Sequence, residues 1–323
     1  MILNLFKDPD DERDYIFTTN AKLNELMVKA STVNYVDHSN MMSPVKDQGK
    51  LGSCVAFAVA AMKEWQENVE FKIEKKKDIP VPKDFSEMWI YWNCKRIDPW
   101  PNVEGTSIRY GMKVLHHLGV PSEIAWPYQD SKSPASKPKS WSSLIAKWAI
   151  IDSYYRISTL TELKAALING PVVIGVGCFE EIFFVGKNGI VPYPKNPAYC
   201  IGGHAVCCVG YDDSRRLVKF KNSWGTGWGE NGYGYFTYDY INSFLWDAWV
   251  AIDASVSKVS PLRSKAVQTS LQEYSVYFEK LLSMSKQDLL AFANSVGVRV
   301  NPDASEAEIV SYLSFFGHSF SQG

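Results

Sequence analysis

Residues 48–57 have the sequence QGKLGSCVAF, in which a glycine-bearing loop leads into an apolar helical pattern. Cys54 stands where the loop becomes the helix. The unpaired backbone N–H groups and the positive end of the helix dipole at such a position stabilise a thiolate. Gly49 and Gly52 let the loop turn tightly and leave the sulfur approachable. A lone cysteine at a helix start is more often structural, but this loop predicts a nucleophile.

A second chemical group lies in the same loop. The side-chain amide of Gln48 comes six residues before Cys54, and it can fold back beside the backbone N–H of that cysteine. Two N–H donors that converge on one point can hold the negative oxygen of a tetrahedral intermediate. Gln48 is therefore the predicted partner of the Cys54 N–H in an oxyanion hole.

The chain contains five histidines, so the search for a general base is short. His204 follows Gly202 and Gly203 at the entry of an apolar strand. The next predicted strand ends at Asn222, and pairing of the two strands in a hairpin would bring Asn222 to His204. The amide oxygen of Asn222 would then fix the imidazole tautomer, and Trp224 would shield that hydrogen bond from water.

Apolar periodicity divides the chain into a mainly helical first half and a β-rich second half. Helices are predicted near residues 54–71, 86–97 and 106–118, and strands near 172–176, 205–211, 217–221 and 233–238. A Ser/Pro/Lys-rich loop at 131–140 separates the halves. We therefore expect an α+β fold of two lobes, with the functional site in the cleft between them.

Three segments are predicted along the chain: an N-terminal segment at 1–32, a main domain at 33–255 and a small helical domain at 256–323. Within the last, Ser285 and Asp288 have the spacing of a helix N-cap. This domain holds six basic and six acidic side chains. Without excess positive charge it is poorly suited to nucleic acid, and docking of a protein partner or a stabilising role is the favoured interpretation.

The charge of the whole chain is also balanced, with 34 basic and 35 acidic residues. A neutral chain has no electrostatic attraction to nucleic acid or to an anionic membrane, which favours a polypeptide or small-molecule partner. No apolar run approaches the ~20 residues of a membrane span. Residues 1–17 lack the apolar core of a secretory signal, so the protein either works where it is made or has had a signal removed.

The cysteine pattern argues against both disulfides and metal. The six cysteines are Cys54, Cys94, Cys178, Cys200, Cys207 and Cys208. A chain of this length can bury a core without disulfides, so buried free thiols are expected for most of them. No CxxC pair is present, and neither a structural zinc site nor a cofactor is expected.

Three sequence blocks together resemble the papain family of cysteine peptidases. They are the Gln-x5-Cys block at 48–54, the Gly-His-Ala block at 203–205 and NSWGTGWGENGY at 222–233, in the family's order. The resemblance covers residues 33–253 and implies a helical left lobe, a β-rich right lobe and a Cys/His pair across the cleft. The roles it implies are nucleophile for Cys54, base and acid for His204, orienting residue for Asn222, oxyanion donor for Gln48 and shield for Trp224.

The same resemblance implies a set of substrate-binding residues. Gly105 is expected to approach the substrate backbone, and Thr106 stands where a second glycine is common in the family. Gly202 and Gly203 are expected to line a substrate pocket, although two glycines at this point are also compatible with a strand bulge. Trp224 completes the predicted set.

The sequence departs from the family's usual pattern at its disulfide positions. Leu51 stands where a disulfide-bonded cysteine is usual, and Val55 stands where an aromatic residue usually follows the nucleophile. The vacant positions resemble divergent bacterial or archaeal-type members, as do residues 8–17 and the Trp-Pro-Tyr motif at 126–128. They favour a mostly disulfide-free fold.

Two other functions are compatible with the same fold. One is acyl transfer, in which an amine replaces water, and the other is a catalytically silent member that binds peptides. The intact set of Cys54, His204, Asn222 and Gln48 argues against the silent alternative. The N-terminal segment is shorter than the family's inhibitory propeptide, and we expect it either to pack on the surface or to lie across the cleft as a partial lock.

Overall fold

The structure is a computed structural model of the chain. It describes residues 3–72, 84–131, 136–139, 142–147, 149–253 and 283–295, and also 300–303, 306, 309 and 313. The chain forms two compact units, one of Met1–Ile73 with Pro82–Ala254 and the other of Glu74–Val81 with Ser255–Gly323. The three-segment division and the docking role of the C-terminal domain remain predictions.

The α-helices of the described residues are α1 (Ala21–Ala30), α2 (Cys54–Lys72), α3 (Glu87–Ile97), α4 (Ile108–His117), α5 (Ser142–Ala146), α6 (Leu160–Asn169), α7 (Tyr238–Phe244) and, in the second unit, α8 (Lys286–Ser295). Helix α2 is the central one. Every residue from 51 to 65 is buried, because α2 packs against α3, α4 and the sheet. The three helices predicted in the first half are present, with boundaries shifted by up to two residues.

The strands are β1 (Tyr35–Asp37), β2 (Ile151–Ile157), β3 (Val172–Cys178), β4 (Gly202–Asp212), β5 (Leu217–Lys221), β6 (Tyr233–Thr237) and β7 (Leu245–Asp253). Their order in the sheet is β2-β7-β3-β4-β5-β6, and β1 pairs with β4 beside this path. All of these pairs are antiparallel. The helices and the antiparallel sheet confirm the predicted α+β fold.

Strand β4 occupies the centre of the sheet and carries His204. Residues 203–211 are all buried, because β3 and β5 flank the strand and α2 packs on it. The register with β3 sets Gly202 opposite Cys178 and His204 opposite Val176 without a shift. Gly202 and Gly203 are therefore regular strand residues, and the alternative of a bulge at these positions is wrong.

Local capping rules account for several helix ends. Ser86 accepts a hydrogen bond from the backbone N–H of Trp89 at the start of α3, and Thr159 forms a capping box with Glu162 at the start of α6. In the second unit, Ser285 accepts from the N–H of Asp288, as its spacing predicts. The sequence also has an apolar stripe formed by Leu271, Tyr274, Phe278, Leu281 and Leu282, and this stripe lies outside the described residues.

Gly119 ends helix α4 in a left-handed conformation, with a φ of 71°. Its N–H donates to the carbonyls of Val114 and Leu115, which satisfies acceptors at the helix end. A Cβ at this position would lie 1.9 Å from the carbonyl oxygen of Ala146. The position therefore excludes a side chain on both conformational and steric grounds.

We predict that Gly119→Ala lowers the free energy of unfolding by at least about 2 kcal/mol, because a strained left-handed alanine costs about 1–3 kcal/mol before any clash. Gly227→Ala is the matched control, since a Cβ there meets nothing within 4 Å. Urea denaturation of both variants measures the difference. Equal stability of the two variants would contradict this account of the α4 terminus.

Candidate active site

Cys54 is the first residue of α2 and is completely buried. Burial raises the pKa of its thiol to about 11, although backbone N–H groups, foremost that of Ala205 and then that of Asn4, act to lower it. Ala205 directly follows His204 on β4. The packing of α2 on β4 thus brings the predicted nucleophile and the predicted base into one buried site.

His204 makes the hydrogen bond that the sequence predicts. Its Nε2 lies 2.8 Å from Oδ1 of Asn222, and the same oxygen accepts from the backbone N–H of Ser223 at 2.8 Å. Because this oxygen can only accept, Nε2 carries the hydrogen and Nδ1 is left with its lone pair. Among the described residues Nδ1 has no hydrogen-bond partner. Burial lowers the pKa of His204 to about 4, against the opposing effect of Asn222.

One aromatic ring stacks on this imidazole, and a second aromatic ring stacks on the first. The ring of Trp224 stacks on His204 with centroids 4.4 Å apart and an interplanar angle of 26°. Phe183 stacks in turn on Trp224, with ring centroids 5.9 Å apart. The shielding role predicted for Trp224 has the required geometry, and Phe183 is an outer layer that the sequence did not predict.

Gln48 is completely buried and is held by Ser223. The hydroxyl of Ser223 donates to Oε1 of Gln48 at 2.6 Å, and the backbone N–H of Gln48 donates to the carbonyl of Ser223 at 2.9 Å. Nε2 of Gln48 donates one hydrogen to the carbonyl of Leu51 at 3.1 Å. With Oε1 fixed as the acceptor, the amide NH2 group faces the start of α2 and keeps a second hydrogen for an incoming oxygen.

Four of the five predicted substrate-binding residues, Gly105, Thr106, Gly202 and Gly203, contact a segment of the same chain. We call residues 3–8 the strap. The N–H of Leu5 donates to the carbonyl of Gly203, and the N–H of Phe6 donates to the carbonyl of Thr106, each at 3.0 Å. A Cβ on Gly105 would lie 2.0 Å from the carbonyl oxygen of Asn4. The strap therefore lies across the cleft, which is one of the two positions expected for the N-terminal segment.

The strap also fills an apolar pocket in the cleft. Leu5 is only 4% exposed. A Cβ on Gly175 would lie 2.4 Å from Cδ2 of Leu5 and 3.2 Å from Cδ1 of Ile108, so the leucine side chain rests on Gly175 next to Ile108. At the other end of the strap, the carbonyl of Leu3 would lie 3.0 Å from a Cβ on Gly202. Glycines at these positions make room for the strap.

Asp8 anchors the far end of the strap to helix α4. Its carboxylate accepts from the hydroxyl of Ser107, from the N–H of Arg109 at 3.2 Å and from Nε1 of Trp249 at 2.9 Å. Ser107 precedes α4 but makes no side-chain capping bond, so Asp8 satisfies donors at the start of the helix. The N–H of Asp8 donates to Asp247 at 2.8 Å. A distant residue thus caps α4.

Two arginines, the buried Arg109 and the half-buried Arg156, hold the chain that follows the strap. Arg109 pairs with Asp14 at 2.6 Å. Arg156 pairs with the same Asp14 at 3.3 Å and with Asp247 at 3.1 Å. Buried charge pairs of this kind are costly to break from one side, because the remaining charge loses its partner. This network fixes residues 8–14 beside the cleft.

Two groups of three carboxylates in the described part of the chain lie close enough to share a metal ion: Glu64, Asp84 and Glu87, and Glu67, Glu70 and Asp253. A lysine lies beside each group and supplies positive charge. Lys46 lies 2.9 Å from Glu64 and 2.5 Å from Glu87, and Lys63 lies 2.8 Å from Glu67. These contacts account for the clustered carboxylates as ion-pair networks.

All six cysteines, each of which the structure describes, are free thiols, and only Cys200 among them is exposed. This agrees with the expectation of a fold that is mostly free of disulfides. No described helix has the length and apolar character needed to cross a membrane.

Comparison with known proteins places this site in a family. The profile of the papain family cysteine proteases matches residues 30–246. The chain belongs to the papain family of cysteine proteases. This membership confirms the predicted family and the cysteine peptidase function, and no finding supports the acyl transfer alternative.

Individual relatives agree with the assignment. An uncharacterized peptidase C1-like protein of Acanthamoeba polyphaga mimivirus is 33% identical over 63% of this chain and 68% of its own length. Cysteine proteinase 1 of Entamoeba histolytica is 32% identical over 59% of each chain. The matched region thus spans about three fifths to two thirds of these relatives. Because the curated relatives are viral or eukaryotic, they do not support the bacterial assignment.

Solved structures give the same fold. Xylellain, a cysteine protease from Xylella fastidiosa, matches with a TM-score of 0.66 and 32% identity over 78% of this chain and 96% of its own. A cysteine protease from Carica candamarcensis matches with a TM-score of 0.52 and 24% identity, over 68% of this chain and 99% of its own. The second similarity supports the fold alone.

We predict that the strapped papain-family protease reacts slowly with iodoacetamide at Cys54 near neutral pH, because the buried thiol has a pKa raised to about 11. The rate of alkylation at Cys54 should still be rising at pH 10. Peptide mass spectrometry from pH 6 to 10 measures it, and the exposed Cys200 serves as the internal control. Faster labelling of Cys54 than of Cys200 at pH 7 would contradict a covered site.

Proposed function

We propose that Cys54 and His204 hydrolyse peptide bonds, with Asn222 as the orienting residue and Gln48 as an oxyanion donor. The observation that carries this proposal is the hydrogen bond from His204 Nε2 to Asn222. It leaves Nδ1 without a partner in the described structure, in a buried site shared with the Cys54 thiol. An imidazole held in this way has one nitrogen for orientation and one for proton transfer.

The first half of the reaction forms an acyl-enzyme. Nδ1 of His204 takes the proton of Cys54, and the thiolate attacks the carbonyl carbon of the peptide bond. The carbonyl oxygen becomes an oxyanion, which accepts from the Cys54 N–H and from the remaining hydrogen of the Gln48 amide. His204 then gives the proton to the leaving amine, the C–N bond breaks, and the acyl group remains on sulfur.

The second half returns the enzyme to its starting state. His204 removes a proton from a water molecule, and the resulting hydroxide attacks the thioester carbon. The same two N–H donors hold the second oxyanion. Collapse of this intermediate breaks the C–S bond, releases the carboxylic acid product and leaves the proton on the thiolate–imidazole pair.

A covalent test addresses the role of Cys54. With the strap displaced by Leu5→Asp, an epoxide inhibitor of cysteine peptidases should modify the protein once, at Cys54, and Cys54→Ala in the same background should remain unmodified and hydrolyse no fluorogenic peptide. Cys94→Ala is the matched control, because Cys94 is also a buried thiol. Loss of labelling in the control but not in Cys54→Ala would overturn the assignment of the nucleophile.

We further propose that the strap inhibits the enzyme until it leaves the cleft. It occupies backbone groups of Thr106 and Gly203 and buries Leu5 in an apolar pocket. While it is in place, substrate cannot use these groups. The strap also contributes to the burial that holds Cys54 and His204 in their neutral forms. Release of the strap would therefore favour the thiolate–imidazolium pair.

We predict that Leu5→Asp raises kcat/KM on a fluorogenic peptide by about 10-fold or more. Burial of a leucine side chain contributes about 1.5–3 kcal/mol, and about 1.4 kcal/mol corresponds to a tenfold change in an equilibrium. A charge in the pocket should therefore displace the strap. Val28→Asp, on the exposed face of α1, is the control and should leave activity unchanged. Equal activity of Leu5→Asp and wild type would refute inhibition by the strap.

A further inference from the structure

The Trp-Pro-Tyr motif at 126–128 takes no part in the proposed chemistry, yet its tyrosine contacts the loop that carries the oxyanion donors. The hydroxyl of Tyr128 donates to the backbone carbonyl of Gln48 at 2.7 Å. The same hydroxyl lies 2.7 Å from Oγ of Ser53. One phenolic oxygen from a distant part of the sequence thus connects two points of the 48–54 loop.

The direction of these hydrogen bonds follows from the groups involved. A carbonyl oxygen can only accept, so the single hydroxyl hydrogen of Tyr128 goes to Gln48. The hydroxyl of Ser53 must then donate to Tyr128. The order of donation is Ser53 to Tyr128 to Gln48, and every oxygen in it is satisfied.

Each contacted residue bears on one of the two proposed oxyanion donors. The carbonyl of Gln48 belongs to the residue whose side-chain amide is the first donor. Ser53 precedes Cys54, so its peptide unit includes the Cys54 N–H, which is the second donor. The distance between the two donors depends on the conformation of residues 48–54, and Tyr128 joins both ends of that stretch.

Tyr128 is itself firmly placed. Its ring makes an edge contact with Phe57 in the first turn of α2, with centroids 4.8 Å apart and an interplanar angle of 81°. Its backbone N–H donates to Glu123. A Cβ on Gly49 would lie 2.4 Å from Oδ2 of Asp130, so the chain after Tyr128 packs directly against the loop. The phenol is therefore a fixed point from which the loop can be held.

We infer that Tyr128 is a positioning residue for the oxyanion hole, which sets the spacing of the Gln48 amide and the Cys54 N–H through its hydroxyl. The inference rests on the proposed roles of those two donors. A donor displaced by a fraction of an ångström stabilises the intermediate less, because hydrogen bonds weaken with distance and misalignment. The thiol and the imidazole do not depend on this hydroxyl.

The test uses Tyr128→Phe, which keeps the ring on Phe57 and removes only the hydroxyl. We expect kcat/KM on a fluorogenic peptide to fall about 10-fold, less than the about 100- to 1,000-fold that follows loss of an oxyanion donor. Binding of a peptide aldehyde, whose adduct with Cys54 carries the tetrahedral oxygen, should weaken by the same factor. Alkylation of Cys54 by iodoacetamide, which forms no oxyanion, should stay within about twofold of the parent.

All variants are made in the full chain, both with Leu5 and with Leu5→Asp, so that the strap does not limit either reagent. Tyr238→Phe is the matched control. It also removes a part-buried hydrogen bond of a tyrosine hydroxyl, here to Asp213 in the turn between β4 and β5, and should leave all three measurements unchanged. Thermal unfolding of each variant separates a local effect from general destabilisation.

A double-mutant cycle with Gln48→Ala decides between positioning and a merely structural role. If Tyr128 acts through the oxyanion hole, Tyr128→Phe should cost much less in the Gln48→Ala background than in the parent. Equal costs in the two backgrounds, an unchanged aldehyde affinity, or a parallel loss of alkylation would each overturn the inference. If Gln48→Ala alone has no effect, the proposed oxyanion role of Gln48 fails instead, and the two failures can be told apart.

Discussion

The packing of helix α2 on strand β4 is the contact on which the active site depends. It places Cys54, the first residue of the helix, beside His204 and Ala205 of β4, so that the thiol and the imidazole lie in one buried site. Neither group could reach the other through local structure. Burial also sets their chemistry, because it disfavours charge on both and holds the thiol and imidazole in their neutral forms.

Antiparallel pairing in the sheet supplies the remaining parts of the site. Strand β5 returns beside β4 and ends at Lys221, which delivers Asn222 to the imidazole and Ser223 to the Gln48 amide. The loop at residues 46–48 then bridges to residues 223–225. The side-chain amides of Asn222 and Gln48 therefore each have one defined orientation, because Ser223 donates a hydrogen bond to the oxygen of each. Such preorganisation matters most where charge develops during the reaction.

The strap has two ends, an anchored end that contributes to stability and a cleft end that carries the proposed inhibition. Asp8 caps helix α4, and Arg109 and Arg156 hold the chain after it, whereas Leu5 fills a pocket in the cleft. These two ends contribute differently. The anchored end is held by buried charges that are costly to separate, and the cleft end is held by two backbone hydrogen bonds and one leucine. In the proposed inhibition, the cleft can open without release of the anchor, so that release depends on Leu5.

The sequence by itself determined the family and the α+β class, and it predicted the principal residues, because the glycine loop before Cys54 and the Asn-Ser-Trp block are local patterns with few other uses. The boundaries of the helices predicted in the first half also followed from local rules. Strands β1, β2 and β7 did not, since their partners lie far away in the sequence. Only the tertiary structure decided that Leu5 fills the cleft, that Asp8 caps α4 and that Tyr128 holds the 48–54 loop. Each of these contacts joins residues separated by 75 or more positions, and no periodic or spacing pattern in a single sequence records which distant groups will meet.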